Sequence, residues 1–258
     1  MNRIDERFAK VKADGRKALI TFLTVGDPNM EVSEKAIYTM QEEGVDLIEL
    51  GVPFSDPAAD GPVIQRADER ALAQGVDIFK VFELVRKIRN NVEVPMVFLL
   101  YYNVMVQYGI EKFFKCCQET GVDGLIIPDL PYEESDEIKE YTEKYGVYQI
   151  SLVSPTSKDR IKNIAKDAKG FLYCISSLGV TGEKSSFVTN FDEFVGTIKK
   201  YTDVPACVGF GVSNGEQVKE LTKYFDGAIV GSAIVKSIAT GESVEERINN
   251  LREKIKDL

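Results

Sequence analysis

The stretch IELGVPFSDPAADGP, residues 48–62, begins as a buried strand and ends as a loop stiffened by three prolines. Glu49 lies inside the apolar run, and Asp56 and Asp60 follow in the loop. Continuous apolarity, in place of alternation, is typical of a parallel strand that is covered on both faces. A carboxylate in such a strand, with two more in the rigid loop after it, indicates a site where the strand ends.

Eight apolar runs of this kind recur along the chain, with amphipathic stretches between them. They predict strands at 18–26, 46–54, 95–103, 124–131, 148–155, 170–177, 205–211 and 227–233. The amphipathic stretches predict helices at about 2–13, 29–44, 77–90, 110–119, 133–145, 158–168, 191–201, 215–224 and 243–256. This alternation predicts a single (β/α)8 TIM barrel over residues 1–258, with an extra N-terminal helix. A doubly wound open sheet is the alternative, and the first strand lacks the Gly-x-Gly-x-x-Gly motif of dinucleotide-binding members.

Charge and hydropathy argue against two kinds of partner. The chain has a net charge of −9, whereas a nucleic-acid-binding surface needs a basic stripe that neutralises phosphates. No apolar run reaches the roughly 20 residues of a membrane span. The first residues mix acids with bases and lack an apolar segment, so we expect no secretory signal and a cytoplasmic protein.

The sequence contains no histidine. This removes Ser-His and Cys-His nucleophiles, His-ligated metal sites and imidazole acid–base catalysis. The four cysteines form no Cys-x-x-Cys motif, and we expect them to be reduced structural thiols. Proton transfer must therefore fall to Asp, Glu, Tyr, Lys or Cys, and no metal site is expected.

In a barrel, the chemistry lies at the C-terminal ends of the strands, where several polar residues of this sequence fall. Glu49 has apolar neighbours on both sides, which predicts a raised pKa and a role as general acid and base. The alternative for Glu49 is a structural ion pair. Asp60 lies in an Asp-Gly-Pro sequence that is also good turn chemistry by itself. Tyr173 lies near the end of the sixth strand.

Glycines cluster at the ends of the last strands and predict an anion site. Gly211 ends the seventh strand, and Gly231 and Ser232 end the eighth. Gly182, in the run LGVTGEKSS that predicts a lid, adds a further backbone donor. Such positions let backbone amides bind a phosphate, while the alternatives are tight turns and a plain surface loop. Lys236 lies close by in the sequence, and we expect it to face solvent.

Five segments resemble the α-subunit family of tryptophan synthase: LGVPFSDPAADGP, GVDGLIIPDLPYEES, SSLGVTG, GFGVS and GSAIVK. The resemblance runs from about residue 18 to the end, and the first segment is its most specific motif. It implies a TIM-barrel lyase of tryptophan biosynthesis that cleaves indole-3-glycerol phosphate to indole and glyceraldehyde 3-phosphate. Many members carry a basic residue before Gly-Val-Thr-Gly, whereas this chain has Ser177-Leu178.

The resemblance also implies roles for individual residues and a partner. The catalytic positions fall on Glu49 and Asp60, with Tyr173 as a supporting active-site residue. The implied phosphate-binding positions are Gly182, Gly211, Gly231 and Ser232, and the implied indole pocket is formed by Phe22, Leu100 and Phe210. The implied partner is a β subunit in an α2β2 heterotetramer, to which indole passes. Pyridoxal phosphate is expected only in that β subunit, and no cofactor is expected in this chain.

The chemistry of the residues agrees with this activity. Cleaving a carbon–carbon bond beside a hydroxyl needs an electron sink, which a Schiff-base lysine or a bound metal supplies in aldolases. The indole ring itself becomes such a sink when it is protonated at C3. Glu49 would deliver and recover the proton, and Asp60 would stabilise the ring cation. The alternatives are a free-standing lyase that releases indole and a non-catalytic barrel that binds a phosphorylated ligand and activates a partner.

Overall fold

The computed structural model describes residues 1–157, 159–175, 190–209 and 211–258. Within these ranges, nine short parallel strands form one sheet. The strands are β1 (Ala18–Thr24), β2 (Leu47–Gly51), β3 (Met96–Leu99), β4 (Gly124–Ile126), β5 (Tyr148–Gln149), β6 (Leu152–Val153), β7 (Leu172–Ile175), β8 (Ala206–Gly209) and β9 (Gly227–Val230).

The sheet closes on itself at the fifth predicted strand. Its order is β5-β4-β3-β2-β1-β9-β8-β7-β6, so the two ends of the sheet are pieces of one run, separated only by Ile150 and Ser151. The backbone N–H of Ile150 donates to the carbonyl of Leu125 at 2.8 Å, and the carbonyl of Ser151 accepts from the N–H of Tyr173 at 3.0 Å. The TIM-barrel prediction is therefore confirmed, with the fifth strand in two pieces. The prediction that residues 1–258 form one domain stays a prediction.

Twelve α-helices lie within the described residues. They are α1 (Arg3–Ala13), α2 (Met30–Glu42), α3 (Pro62–Ala73), α4 (Ile78–Ile88), α5 (Tyr102–Tyr108), α6 (Ile110–Thr120), α7 (Asp136–Tyr145), α8 (Ile161–Asp167), α9 (Phe191–Lys199), α10 (Gly215–Leu221), α11 (Ser232–Ala239) and α12 (Val244–Lys256). All nine predicted helices are present, whereas α3, α5 and α11 were not predicted. None of the helices within the described ranges is long and apolar enough to span a bilayer.

The extra N-terminal helix covers one end of the barrel. Ile4, Phe8 and Val11 of α1 pack into a cluster of inward-facing strand residues that includes Ile20 and Leu47. The C-terminal ends of the strands lie at the other end of the barrel, where the functional site of this fold is expected.

The pleat of β2 decides which side chains reach the barrel interior. Leu47 belongs to the interior cluster, whereas Ile48 and Leu50 pack in the core between the sheet and the helices. Successive side chains of a strand point to opposite faces, so Glu49 faces inward with Leu47. The carboxylate of the opening sequence motif therefore points into the barrel.

A repeated aspartate fixes the register at the opposite rim. Asp46, Asp123 and Asp226 each directly precede a strand, and the side chain of each accepts a backbone N–H from the start of a neighbouring strand. The donors are Leu19 to Asp46 at 3.0 Å, Met96 to Asp123 at 2.9 Å and Ala206 to Asp226 at 3.0 Å. Arg16 clamps Asp46 with two hydrogen bonds, and Arg3 binds Asp123. These buried charges are paired, as burial requires.

Candidate active site

A cavity of about 920 Å³ lies at the C-terminal end of the barrel. Glu49 from β2, Asp60 from the following loop and Tyr173 from β7 all line it. Tyr173 is distant in the sequence from Glu49 and Asp60, and the closed sheet brings all three to one cavity. The sequence predicts catalytic roles for Glu49 and Asp60 and a supporting role for Tyr173, and the structure places all three on the wall of this cavity. Their roles stay predictions.

Glu49 is a carboxyl buried in the wall of the cavity. Its exposed fraction is 1%, and its Oε1 atom has no partner in the described part of the chain. In the strand pairing it lies opposite Phe22 on β1 and Val97 on β3. Burial raises the pKa of Glu49 to about 8, as its apolar sequence neighbours predicted. The side chain therefore keeps a proton near neutral pH, and no described cation lies close enough to support the ion-pair alternative.

Asp60 is held in place by the end of the third strand. The hydroxyl of Tyr101 donates to Oδ2 of Asp60 at 2.8 Å and accepts the backbone N–H of Ala59 at 2.9 Å. The Tyr101 ring stacks on Phe54, with 4.9 Å between the ring centroids. Burial raises the pKa of Asp60, and the hydrogen bond from Tyr101 opposes that rise. A role in the turn alone therefore does not account for Asp60, because Tyr101 orients its carboxylate and burial removes water from it.

Tyr173 adds a neutral hydroxyl to the cavity wall. Burial raises its pKa well above the usual range, and the charges of Glu49 and Asp60 raise it further. The phenol therefore stays protonated at any physiological pH. Its ring lies against Gly209, where a β-carbon would collide with the tyrosine hydroxyl. The glycine thus makes room for Tyr173 on the neighbouring strand.

Sequence reasoning assigned no role to Tyr101 or to Asp68. Asp68 lies on the buried face of α3 with Ala67 and Ala71, and its exposed fraction is 5%. Burial, reinforced by the charge of Asp60, raises the pKa of Asp68 to about 8. The signal in the sequence was a carboxylate on the apolar face of a helix, and it was missed because α3 itself was not predicted.

The apolar wall of the cavity differs by one residue from the prediction. Phe22 lines the cavity as expected, but Leu99 lines it in place of Leu100. Leu100 is fully buried in the core between the sheet and the helices, because neighbouring strand residues face opposite sides. The prediction for Leu100 is therefore corrected to Leu99. Phe210, the third predicted member of this wall, lies outside the described residues.

Backbone donors gather at another part of the cavity wall. Gly211, Gly231 and Ser232 all line it, and Ser232 is the first residue of α11. Gly211 has φ +78°, a left-handed conformation that favours glycine. The N–H groups of a first helical turn have no partners within the helix and attract anions. Gly182, the fourth predicted phosphate position, lies outside the described residues.

Two lysines also line the cavity, Lys236 on α11 and Lys254 on α12. Lys236 is exposed, as expected, but it borders the cavity as well as the solvent. Among the described residues no group of three or more His, Cys, Asp or Glu side chains is arranged to hold a metal. The four cysteines are buried free thiols.

Comparison with known proteins identifies the family. A family model described as the tryptophan synthase alpha chain matches residues 8–258. The chain belongs to the tryptophan synthase alpha chain family. The resemblance drawn from the five sequence segments is confirmed, and with it the lyase class and the alpha-subunit role in tryptophan biosynthesis.

Similar proteins of this family cover all or nearly all of the chain. The tryptophan synthase alpha chain of Thermoanaerobacter sp. (strain X514) is 48% identical over 258 residues, which is 100% of this chain and 98% of the relative. That of Methanocaldococcus jannaschii is 47% identical and covers 92% of this chain and 84% of the relative. A tryptophan synthase structure from M. tuberculosis in its aminoacrylate-bound form superposes with a TM-score of 0.88 at 32% identity, covering 100% of this chain and 98% of its own. The alpha subunit from Legionella pneumophila gives a TM-score of 0.85 at 35% identity, with 100% of both chains covered.

Proposed function

We propose that this chain cleaves indole-3-glycerol phosphate to indole and glyceraldehyde 3-phosphate in the cavity at the C-terminal end of the barrel. The observation that carries the proposal is Glu49, a fully buried carboxyl that lines the cavity and has a pKa of about 8. Such a group holds a proton at neutral pH and can both give and take one. Membership of the tryptophan synthase alpha chain family supports the same reaction.

Glu49 and Asp60 divide the proton chemistry between them. Protonated Glu49 gives its proton to C3 of the indole ring, which makes the ring an iminium-type cation. The carboxylate of Asp60 accepts a hydrogen bond from the ring N–H and offsets the positive charge. The Glu49 carboxylate then takes the proton of the side-chain hydroxyl, the carbon–carbon bond breaks, and its electrons restore the indole ring. The hydroxyl carbon leaves as the aldehyde of glyceraldehyde 3-phosphate, and Glu49 ends the cycle protonated.

The remaining wall of the cavity supplies binding. Tyr101 orients Asp60, and Tyr173 places a neutral hydroxyl beside the two carboxyls. Phe22 and Leu99 offer the apolar surface for the indole ring, and the sequence adds Phe210. Backbone amides at Gly211, Gly231 and Ser232, with Gly182 from the sequence, would hold the phosphate. This division of polar and apolar groups fits a substrate with an aromatic ring at one end and a phosphate at the other.

The partner follows from the family. We infer that the indole passes to a tryptophan synthase β subunit in an α2β2 assembly, and that pyridoxal phosphate belongs to that subunit while this chain works without a cofactor. The support is the family name, since an alpha chain implies a second kind of chain. A cytoplasmic location stays a prediction of the sequence.

The test is the release of indole from indole-3-glycerol phosphate, with and without the cognate β subunit. We expect Glu49→Gln to lower kcat by about 10²- to 10⁴-fold, because the amide cannot donate a proton to carbon, while the affinity for substrate persists. Glu83→Gln, at an exposed position on α4, is the matched control and should behave as the wild type.

Wild-type protein inactive both alone and with the β subunit would favour the non-catalytic alternative. Full activity alone, with no complex in native mass spectrometry, would favour the free-standing lyase. Unchanged turnover in Glu49→Gln would overturn the role of Glu49.

A further inference from the structure

Lys236 lines the same cavity as Gly231 and Ser232. It lies four residues after Ser232 on α11, so the two side chains share one face of the helix. With a rise of 1.5 Å per residue, their Cα atoms are separated by about 6 Å along the helix axis. Because the Cα–Cβ bonds of a helix tilt toward its N-terminus, the four-carbon stem of Lys236 leads back over the first turn. The ammonium can therefore reach the space in front of the unpaired N–H groups.

The ammonium of Lys236 has no ion-pair partner among the described residues, so it can take a ligand. Within the described ranges, no carboxylate lies at ion-pair distance from it, whereas Lys254, the other lysine of the wall, is engaged. The Lys254 ammonium lies 2.9 Å from Oδ2 of Asp257 and donates to the carbonyl of Ser213 at 3.3 Å. The two lysines of the cavity wall thus differ in that one already has a counter-ion.

The charge around the cavity favours such a cation. The chain carries a net charge of −9, and the cavity wall contributes the carboxylate of Asp60, while Glu49 keeps its proton. A phosphate monoester brings nearly two further negative charges at neutral pH. Backbone amides at a helix N-terminus offer only partial charges, equivalent to about half a unit. A full positive charge at the same place offsets the repulsion between the phosphate and the negative charge of the protein that the amides do not cancel.

We propose that Lys236 is the side-chain counter-ion of the substrate's phosphate, and that it thereby sets the preference of the enzyme for a phosphorylated over an unphosphorylated indole glycerol. This inference rests on the proposed function and adds a specificity-determining residue to it. Its ligand class is a phosphate monoester dianion. Lys236 takes no part in the proton transfers, because those occur at the carboxyls of Glu49 and Asp60.

The test compares Lys236→Met and Lys236→Arg with the wild type in steady-state cleavage of indole-3-glycerol phosphate. At low ionic strength we expect Lys236→Met to raise KM about 10-fold or more with kcat unchanged, since a charge-assisted contact made equally in the ground and transition states is lost. Lys236→Arg keeps the charge and should stay near wild type. Added salt should raise the wild-type KM but hardly change that of Lys236→Met, because salt screens the contact. The rate of cleavage of unphosphorylated indole glycerol should be equal in the wild type and Lys236→Met.

Lys219→Met is the matched control for the change in net charge. Lys219 is an exposed lysine on α10, outside the cavity wall, with no ion pair to a described residue. It should leave KM unchanged. An equal rise of KM in Lys219→Met would show a general field effect and overturn the assignment, as would an unchanged KM in Lys236→Met. A parallel fall of kcat and of melting temperature in Lys236→Met would show a structural role instead.

The two proposals fail in different ways. If the wild type does not cleave indole-3-glycerol phosphate, the proposed function fails. The affinity of inorganic phosphate, measured by calorimetry for the wild type, Lys236→Met and Lys219→Met, then still tests Lys236. Weaker binding of phosphate in Lys236→Met alone supports the counter-ion, and equal binding in all three proteins overturns it.

Discussion

The hydroxyl of Tyr101 donates a 2.8 Å hydrogen bond to Oδ2 of Asp60, a residue 41 positions earlier in the sequence. The bond ties the loop after β2 to the end of β3, and the N–H of Ala59 completes the contact by donating to the same hydroxyl. A loop carboxylate that must meet a ring N–H needs a fixed position, and loops by themselves are mobile. Tyr101 therefore positions the group that stabilises the ring cation.

We expect Tyr101→Phe to lower kcat about 10- to 100-fold, because Asp60 loses a directing bond in a largely desolvated place. The ring, and with it the stacking on Phe54, is retained. Steady-state kinetics of indole release would measure the effect. Tyr102→Phe is the control, since the Tyr102 hydroxyl donates to Glu137, away from the cavity wall. Equal activity of both variants would show that the loop holds Asp60 without help.

The burial of Glu49 predicts the pH dependence of catalysis. The general acid must carry its proton, and its pKa in the unliganded chain is about 8. Below that pH, Glu49 stays protonated, and we expect its ionisation to leave kcat/KM unchanged. Above it, we expect kcat/KM to fall tenfold per pH unit, since kcat/KM reports the ionisation of groups in the free enzyme. A pH–rate profile from about pH 4 to 10 would measure this. A fall that begins already near pH 5 would show that Glu49 acts as an ordinary exposed carboxyl.

The same burial predicts a cost in stability. The pKa of Glu49 rises from 4.5 to about 8 on folding, so between these values the unfolded chain loses a proton that the folded chain keeps. The free energy of unfolding then falls as pH rises through this window, by roughly 5 kcal/mol at most. Glu49→Gln lacks this loss. We expect the variant to be the more stable protein, by a margin that grows from pH 4.5 to 8 in urea denaturation. Glu83→Gln, the control, should show no such gain in stability. If Glu49→Gln also shows none, the Glu49 side chain of the folded wild type is ionised and the prediction is wrong.

The strands of the barrel could be predicted because each is a continuous apolar run bounded by turn residues. Two of the three missed helices, α5 and α11, begin almost directly after a strand and share its composition. Tyr102 and the apolar residues after Ser232 extend a strand-like run, although they begin α5 and α11. Pro62 favours a turn in one context and the first position of a helix in another. Local composition could not decide these cases, because the closure of the barrel decides where each strand stops.

Residues of the candidate site could be predicted where an unusual residue type marks them in the sequence. They could not be predicted where the orientation of a side chain in the fold decides. A carboxylate in a buried strand is unusual enough to single out Glu49 from the sequence. The choice between Leu99 and Leu100 depends on strand parity, which a shift of one residue reverses. Tyr101 acts through Asp60, which is distant in the sequence, so no local pattern marked it. Asp68 was missed because its helix, α3, was not predicted.

Gly51 is predicted to be required for the position of Phe22. A β-carbon at Gly51 would lie 2.5 Å from Cζ of Phe22, and Phe22 lies opposite Glu49 in the strand pairing. We expect Gly51→Ala to push the ring aside, to lower the free energy of unfolding by about 1–3 kcal/mol and to raise KM. Denaturant titration and indole-release kinetics measure both effects, and Gly51→Ala combined with Phe22→Leu should regain stability because the collision is relieved. Gly196→Ala, in α9 with open space around the site, should instead stabilise by about 0.5–1 kcal/mol. A Gly51→Ala protein as stable as Gly196→Ala would mean that the ring yields without cost.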